Sequence, residues 1–176
     1  MIAKYQKSEI QVAEVGCYDA ETTLTYIDII KRNNKHLYLI DWFSGAPEIP
    51  QSYYHGWRPH ESNDLYEYVL SVTEEYKEFV TILRGKSSDV SKFIKDKSLD
   101  FCFIDADHLY KGIKEDIQLY LPKMKKGAIL MGHDCEDITL ANTFTDEELN
   151  SHYVRDMHPG VIQAVYEHFG NEIEII

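Results

Sequence analysis

"LDFCFIDADHLY", residues 99–110, decides how this chain is read. Four apolar residues, Phe101 to Ile104, run straight into Asp105, Asp107 and His108. An unpaired carboxylate costs roughly several kcal/mol to bury, so a buried strand has no reason to end in such groups unless they hold something. The stretch therefore predicts a buried strand whose carboxyl end opens onto a site.

The same arrangement recurs on either side. "IQVAEV" (residues 10–15) is a short apolar run that stops at Gly16, and residues 37–41 of "HLYLID" stop at Asp41. "VTIL" (80–83) reads as a third strand, and "AILM" (128–131), followed by Gly132, His133 and Asp134, as a fifth. "EIEII" (172–176) alternates as a final strand would. Between these runs the spacing turns helical, over 20–32, 61–79, 87–96, 110–124 and 160–169. In the first helix Leu24, Ile27 and Ile30 form the apolar stripe, with Tyr26 on its flank. Residues 42–60 carry three prolines, two glycines and five aromatics and read as a long loop. A polar insertion spans 136–158.

Strands that alternate with helices build an α/β fold: a Rossmann-like, doubly wound, mostly parallel sheet with helices on both faces. Ligands bind such sheets beyond the carboxyl ends of the strands. Gly16, Asp41, Asp105 and His133–Asp134 are therefore expected along one edge.

A chain of 176 residues suffices for one domain, 1–176, and is short for two. At 44% hydrophobic content it can build a core without staples. The net charge of −12 argues against a nucleic-acid partner, which needs a basic face. The basic piece "KMKK" (123–126) reads as a solvated helix end. Cys17, Cys102 and Cys135 form no CxxC pair, and Cys102 reads as a small buried hydrophobe. An odd count without a framework suits a reducing compartment. With no leader pattern and no apolar run of about 18 residues, the expectation is a cytoplasmic protein with no membrane partner.

Each strand end carries both a chemical and a plain reading. Gly16 lets the backbone approach a ligand or simply makes a tight turn. The pattern G-x-G-x-x-G is absent, which argues against a pyrophosphate cradle. Asp41 can accept from both ribose hydroxyls or cap a turn. Asp105, Asp107, His133 and Asp134 suit a divalent metal or acid–base chemistry. Alternatively they are caps and ion pairs, with Asp107 or His108 opening the next helix. The aromatics of 42–60 either cover a planar ligand or pack within the loop. His55, His60, His152 and His158 sit in polar surroundings and read as surface residues.

Taken together these segments resemble the class I S-adenosylmethionine-dependent methyltransferases. The likeness is to the small-molecule O-methyltransferase group that includes macrocin-type sugar methyltransferases. "VAEVGCYDAETT" resembles the first motif of that group, "LYLIDWF" the second and "RGKSSDV" its Gly-x-Ser segment. "LDFCFIDADHLYKGIKEDI", "LPKMKKGAILMGHD" and "HPGVIQAVYEHF" follow its later motifs in order.

The resemblance implies a seven-stranded sheet with S-adenosylmethionine over strands one and two. The cofactor residues it implies are Glu14, Gly16, Tyr18, Asp41, Trp42, Ser87 and Asp105. Glu14 and Gly16 would lie by the methionine part, Asp41 by the ribose, and Trp42 and Ser87 by the adenine. Asp105, His133 and Asp134 match the positions that hold magnesium in metal-dependent members. Asp107 matches a base of sugar methyltransferases, with His108 as the alternative catalytic group.

Three departures stand out. Ala20 replaces the last glycine of the first motif, and His133 replaces an acid. Magnesium prefers oxygen, so His133 favours another divalent ion or none. Only nine residues precede Ile10 and the sequence stops at "EIEII", where relatives continue into one more strand, so the expectation is a six-stranded sheet with the C-terminal strand missing, or a partner chain that supplies cover.

The resulting expectation is methyl transfer from S-adenosylmethionine to a hydroxyl of a small-molecule acceptor, with or without a divalent metal (Mg2+ or similar), in a homo-oligomer. Two rivals stay open: a metal-dependent hydrolase, and a binding protein that keeps the fold without turnover.

Overall fold

The computed structural model describes residues 10–43 and 65–174. Among these, five strands form one sheet: β1 (Gln11–Val15), β2 (His36–Asp41), β3 (Val80–Arg84), β4 (Leu99–Ile104) and β5 (Met124–Gly132). Every pairing is parallel and the order is β3-β2-β1-β4-β5. The chain steps outward from β1 to β3, crosses back beside β1 with β4, and steps outward again to β5. That reversal between β1 and β4 is the topological switch point at which open α/β sheets bind ligands.

The helices are α1 (Glu21–Arg32), α2 (Leu65–Val72), α3 (Ser87–Val90), α4 (Tyr110–Tyr120), α5 (Asp146–Leu149) and α6 (Pro159–Phe169). Strand residues alternate between two cores because successive side chains point to opposite faces. On one face Val12, Leu37, Leu39 and Val80 pack against Ile27 and Ile30 of α1 and Val69 of α2. On the other, Ala13, Val15, Ile40, Cys102 and Ile104 pack against Ile113, Ile117 and Tyr120 of α4 and Val161 and Ala164 of α6. Both faces of the sheet are covered, as a parallel sheet requires.

Several elements differ from the sequence reading. Thr23, not Leu24, joins Ile27 and Ile30 on the buried stripe of α1, and Leu24 is exposed. Thr23 is drawn inward by a hydrogen bond to the buried Glu14. The helix expected over 61–79 is α2 followed by a 3-10 turn at Glu74–Tyr76; its first residues, 61–64, lie outside the described residues. The helix expected over 87–96 is α3 plus a second 3-10 turn, Ser91–Phe93.

β5 begins four residues earlier than its apolar core, so Met124–Lys126 of "KMKK" are strand, and Lys123 ends a 3-10 turn, Leu121–Lys123. Lys123, just before β5, is buried with its Nζ donating to the Ile94 carbonyl (3.0 Å). Lys125 Nζ donates to Asp100 (2.7 Å), which also accepts the Gln11 N–H. These lysines pin the amino ends of β4 and β5.

Residues 172–174 are not strand; 175 and 176, like 44–60 with their aromatics, His55 and His60, lie outside the described residues. Cys102 is fully buried, as expected for a small hydrophobe. No helix among the described residues is long and apolar enough to cross a membrane.

Candidate active site

The carboxyl ends of β1, β2 and β4 meet at Gly16. Val15 pairs with Ile40 on one side and with Ile104 on the other, so Gly16, Asp41 and Asp105 follow at one level. The Gly16 N–H donates to the Ile40 carbonyl and the Asp105 N–H to the Val15 carbonyl, both at 2.8 Å. A Cβ on Gly16 would run into the Asp105 carbonyl oxygen, and its φ of +88° is one that side chains rarely adopt. Glycine is required here, and the reason is contact between strand ends. The turn continues through Tyr18 (φ 46°) and Ala20 (φ 63°), so Ala20 adopts the left-handed conformation without being glycine. It is fully buried there.

On the β1–β2 side Asp41 accepts from two backbone donors, the Tyr18 N–H at 2.9 Å and the Phe43 N–H at 2.6 Å. Its carboxylate thereby fixes the turn after β1 and the exit from β2. Burial pushes the Asp41 carboxyl up, against the pull of those N–H groups. Tyr18 meets Asp41 through its backbone, so the motif position is used for its N–H. Trp42 follows directly, with the Lys86 ammonium over its ring at 5.4 Å.

Glu14 lies one residue inside the strand end, 1% exposed, facing α1. Its Oε2 accepts from Thr23 Oγ1 (2.6 Å) and from the Tyr26 hydroxyl. Burial raises its carboxyl; the two hydroxyls oppose this, while Asp105 and Asp41 push it higher still. Glu14 is therefore an internal tie between β1 and α1 that shares the field of the site. Ser87, the first residue of α3, donates its hydroxyl hydrogen to Asp116 of α4. Asp116 is itself buried, which pushes its carboxyl up to about 6.

The β4–β5 side is organised around Asp134. This residue has φ 61°, a left-handed conformation just past the end of β5. Its Oδ2 lies 2.8 Å from His108 Nε2, and its Oδ1 lies 2.7 Å from His133 Nδ1 and 3.7 Å from His158 Nδ1. Burial would raise the Asp134 carboxyl, but His108, His158 and His133 outweigh it and hold it below the usual range. Burial would lower His108, but Asp105 (3.5 Å from Nε2) and Asp134 outweigh it and lift the imidazole to about 9. The His108–Asp134 contact is an ion pair of poor alignment: buried Nε2 has no hydrogen bond of good geometry.

His133, by contrast, is 64% exposed at the rim. His158 tucks beneath, 17% exposed, its Nδ1 held by Glu136 Oε1 at 2.5 Å and its N–H donating to the same carboxylate at 3.2 Å. Its ring lies 4.9 Å from that of His108 and 5.1 Å from Tyr153, and His152 sits 6.3 Å from His108. His158 and His152 are thus part of the site and not surface residues. Their sequence neighbourhood is polar because the site is polar. The signal that could have marked His158 is the glycine two residues on. A Cβ on Gly160 would strike the His108 carbonyl and the Tyr110 nitrogen, so this glycine lets α6 start against the loop after β4.

Asp107 is exposed and caps the turn into α4, its Oδ1 accepting the Leu109 N–H at 2.9 Å while the side chain lies against Gly112. The structure thus brings Asp105, His108, His133 and Asp134 together and leaves Asp107 at their margin. Two sets of three could each offer one donor atom to a metal ion, with the atoms of a set within 4.8 Å of one another: Asp105, His133 and Asp134, and His108, Asp134 and His158. The first set fits a divalent cation with two oxygens and one nitrogen.

A family profile described as "Methyltransferase domain" matches residues 13–135, from within β1 through the end of β5. The chain is similar to the uncharacterized protein y4gI of Sinorhizobium fredii, 27% identical over 73 residues. That stretch is 42% of this chain and 8% of y4gI. Its fold is similar to that of the SAH-bound methyltransferase PaMTH1 of Podospora anserina, with a TM-score of 0.55 at 15% identity, covering 94% of this chain and 62% of that one. A geranyl diphosphate methyltransferase in complex with SAM gives a TM-score of 0.55 at 8% identity, covering 96% of this chain and 61% of that one. At these identities the two structures share the fold. The chain spans about three fifths of their length and a small fraction of y4gI.

Proposed function

The chain belongs to the methyltransferase-domain family, and from that premise we propose that it moves the methyl group of S-adenosylmethionine to a hydroxyl of a small molecule. The observation that carries this reading is the convergence of Glu14, Asp41 and Asp105 at the switch point of the sheet. Asp41 and Asp105 each push Glu14 up, so the crevice is rich in negative charge. Such a site repels a pyrophosphate and suits a ligand with a sulfonium and an ammonium group. Asp41 keeps spare lone pairs on both oxygens, which can accept ribose hydroxyls while its N–H partners hold it in place. Trp42, beside the ribose position, offers a face to the adenine.

The transfer is an in-line displacement. The acceptor oxygen bonds to the methyl carbon as the carbon–sulfur bond breaks, the electron pair stays on sulfur, and the hydroxyl proton leaves to a base. Asp107 is the base in this reading: it is exposed at the mouth of the β4 end, and one carboxylate oxygen is anchored by the Leu109 N–H. Alignment of the two reactants supplies most of the remaining effect. Asp105, His133 and Asp134 would hold a divalent cation where one binds, and such an ion lowers the pKa of an acceptor hydroxyl. A sugar hydroxyl of the kind macrocin-type enzymes methylate is the acceptor class this reading favours.

Titration calorimetry with S-adenosylmethionine, followed by labelled-methyl transfer to sugar and phenol acceptors, tests the proposal. Absence of S-adenosylmethionine binding overturns it. A metal-dependent hydrolase is favoured by one observation, the histidine cluster around Asp134, and a chain that binds metal but no S-adenosylmethionine would support that rival. The outer edge of β5 is unpaired among the described residues, and Ile129 on it is 57% exposed. A second copy laid along this edge would cover it. Light scattering should then give a multiple of 20.5 kDa, and a monomer counts against assembly.

A further inference from the structure

We infer that His108, Asp134 and His158 form a binding site for a nitrogen-preferring divalent cation of the zinc, cobalt or nickel class. The site goes beyond the methyl-transfer reading; it shares Asp134 with the cation position of that reading, so the two sets are alternatives for one ion. Three observations converge. One ligand atom from each of the three residues lies within 4.8 Å of the others. Donors about 2.0–2.1 Å from a tetrahedral ion sit roughly 3.3 Å apart, so modest side-chain shifts close the set. Second, His108 Nε2 is buried without a well-aligned hydrogen bond, although Asp134 Oδ2 is only 2.8 Å away. A nitrogen placed so close to a carboxylate oxygen but misaligned with it is positioned for an ion that both can face. Third, the His158 Nδ1 that faces Asp134 Oδ1 at 3.7 Å is also held by Glu136 Oε1 at 2.5 Å, so a second carboxylate fixes this ring at the edge of the set.

The donor set decides the class of ion. Two imidazoles and one carboxylate suit zinc and its late-transition neighbours, whereas magnesium takes oxygen ligands in a near-ideal octahedron and keeps its waters. The set also differs from Asp105, His133 and Asp134 in both its histidines. His133 is exposed at the rim, while His108 and His158 are inner residues with their rings 4.9 Å apart. Gly160 makes the set possible, because it lets the start of α6 close on the backbone of His108.

The experiment uses the whole chain, stripped with a chelator and dialysed against Zn2+, Co2+ or Mg2+. Bound metal is measured by elemental analysis, thermal shift and, for Co2+, the visible spectrum of a low-coordinate site. One equivalent of Zn2+ or Co2+ should bind and raise the melting temperature, with Mg2+ competing only weakly. His158→Ala should weaken Zn2+ binding about 100-fold or more, while His133→Ala changes it by no more than a few-fold. His158→Gln, which keeps the bulk of the ring, is the second variant should His158→Ala fail to fold. Loss of Zn2+ in His133→Ala but not in the His158 variants would overturn the site in favour of the other set. No stoichiometric Zn2+ or Co2+ binding by the wild type would overturn it outright. Titration of S-adenosylmethionine on the same stripped samples reads the methyl-transfer proposal separately.

Discussion

The two ends of the crevice are built from opposite materials. At the β1–β2 end the charged groups are Glu14 and Asp41, both buried enough that their carboxyls are pushed up, and both satisfied by hydroxyl or backbone N–H donors: Thr23, Tyr26, Tyr18 and Phe43. At the β4–β5 end Asp134 is held low and His108 is lifted, because carboxylates and imidazoles face each other. There the partners come from the loop after β4, the end of β5 and the residue before α6. The first end sets its two carboxylates among hydroxyls and backbone N–H groups. The second pairs its carboxylates with a lifted imidazole, His108. The difference teaches that one strand-end edge can hold an acidic end beside an end where acids and imidazoles face each other.

Gly16 joins the two ends, so its loss is the largest expected effect. Gly16→Ala should remove about 3 kcal/mol or more of stability, through clash with the Asp105 carbonyl and through its positive φ. Thermal unfolding reads this, and a variant as stable as the wild type would show that the strand ends do not touch as described.

Asp107→Asn tests whether the β4 end does chemistry that the β1 end does not. Single-turnover methyl transfer should fall by about 100-fold or more, the lower range for loss of a general base, with S-adenosylmethionine affinity unchanged. Undiminished transfer would assign Asp107 to the cap of α4 alone.

The Ser87–Asp116 bond ties β3's exit to α4 and so couples the two ends from below. Burial raises the Asp116 carboxyl to about 6 from an ordinary 3.8. Its contribution to stability is therefore fully present below about 4 and is lost as pH rises through about 6. Asp116→Asn should leave stability nearly unchanged at pH 4 and raise it at pH 8, by at most about 3 kcal/mol. Equal melting shifts at both pH values would mean that a cation neutralises the group.

The smallest expected effect sharpens the comparison most. Asp41→Asn should weaken S-adenosylmethionine binding by about 1–2 kcal/mol, and Asp134→Asn should leave it within experimental scatter. Calorimetry that ranks the two variants the other way would exchange the roles assigned to the two ends.

The strands and their order of chemistry were legible because each carries a short apolar run, which at β1, β2, β4 and β5 stops abruptly at a glycine or an acid. Gly16, Asp41 and Asp105 fall within one residue of a strand end, where local pattern and site coincide. The bounds of β5 were not legible. Lys123 and Lys125 look solvated in sequence, and only the Ile94 carbonyl and Asp100, both distant in the chain, make them structural. Ser87 and Glu14 follow the motif, and their hydrogen bonds to α4 and α1 were not legible because those partners lie elsewhere in the chain.

Sequence by itself determined a parallel α/β sheet with an acidic edge, because strand and helix periods and the residues that break them are local properties. Tertiary structure alone decided that His158 belongs with His108 and Asp134. His158 is 50 residues from His108, and no local pattern can report a meeting that depends on α6 closing onto the loop after β4 at Gly160.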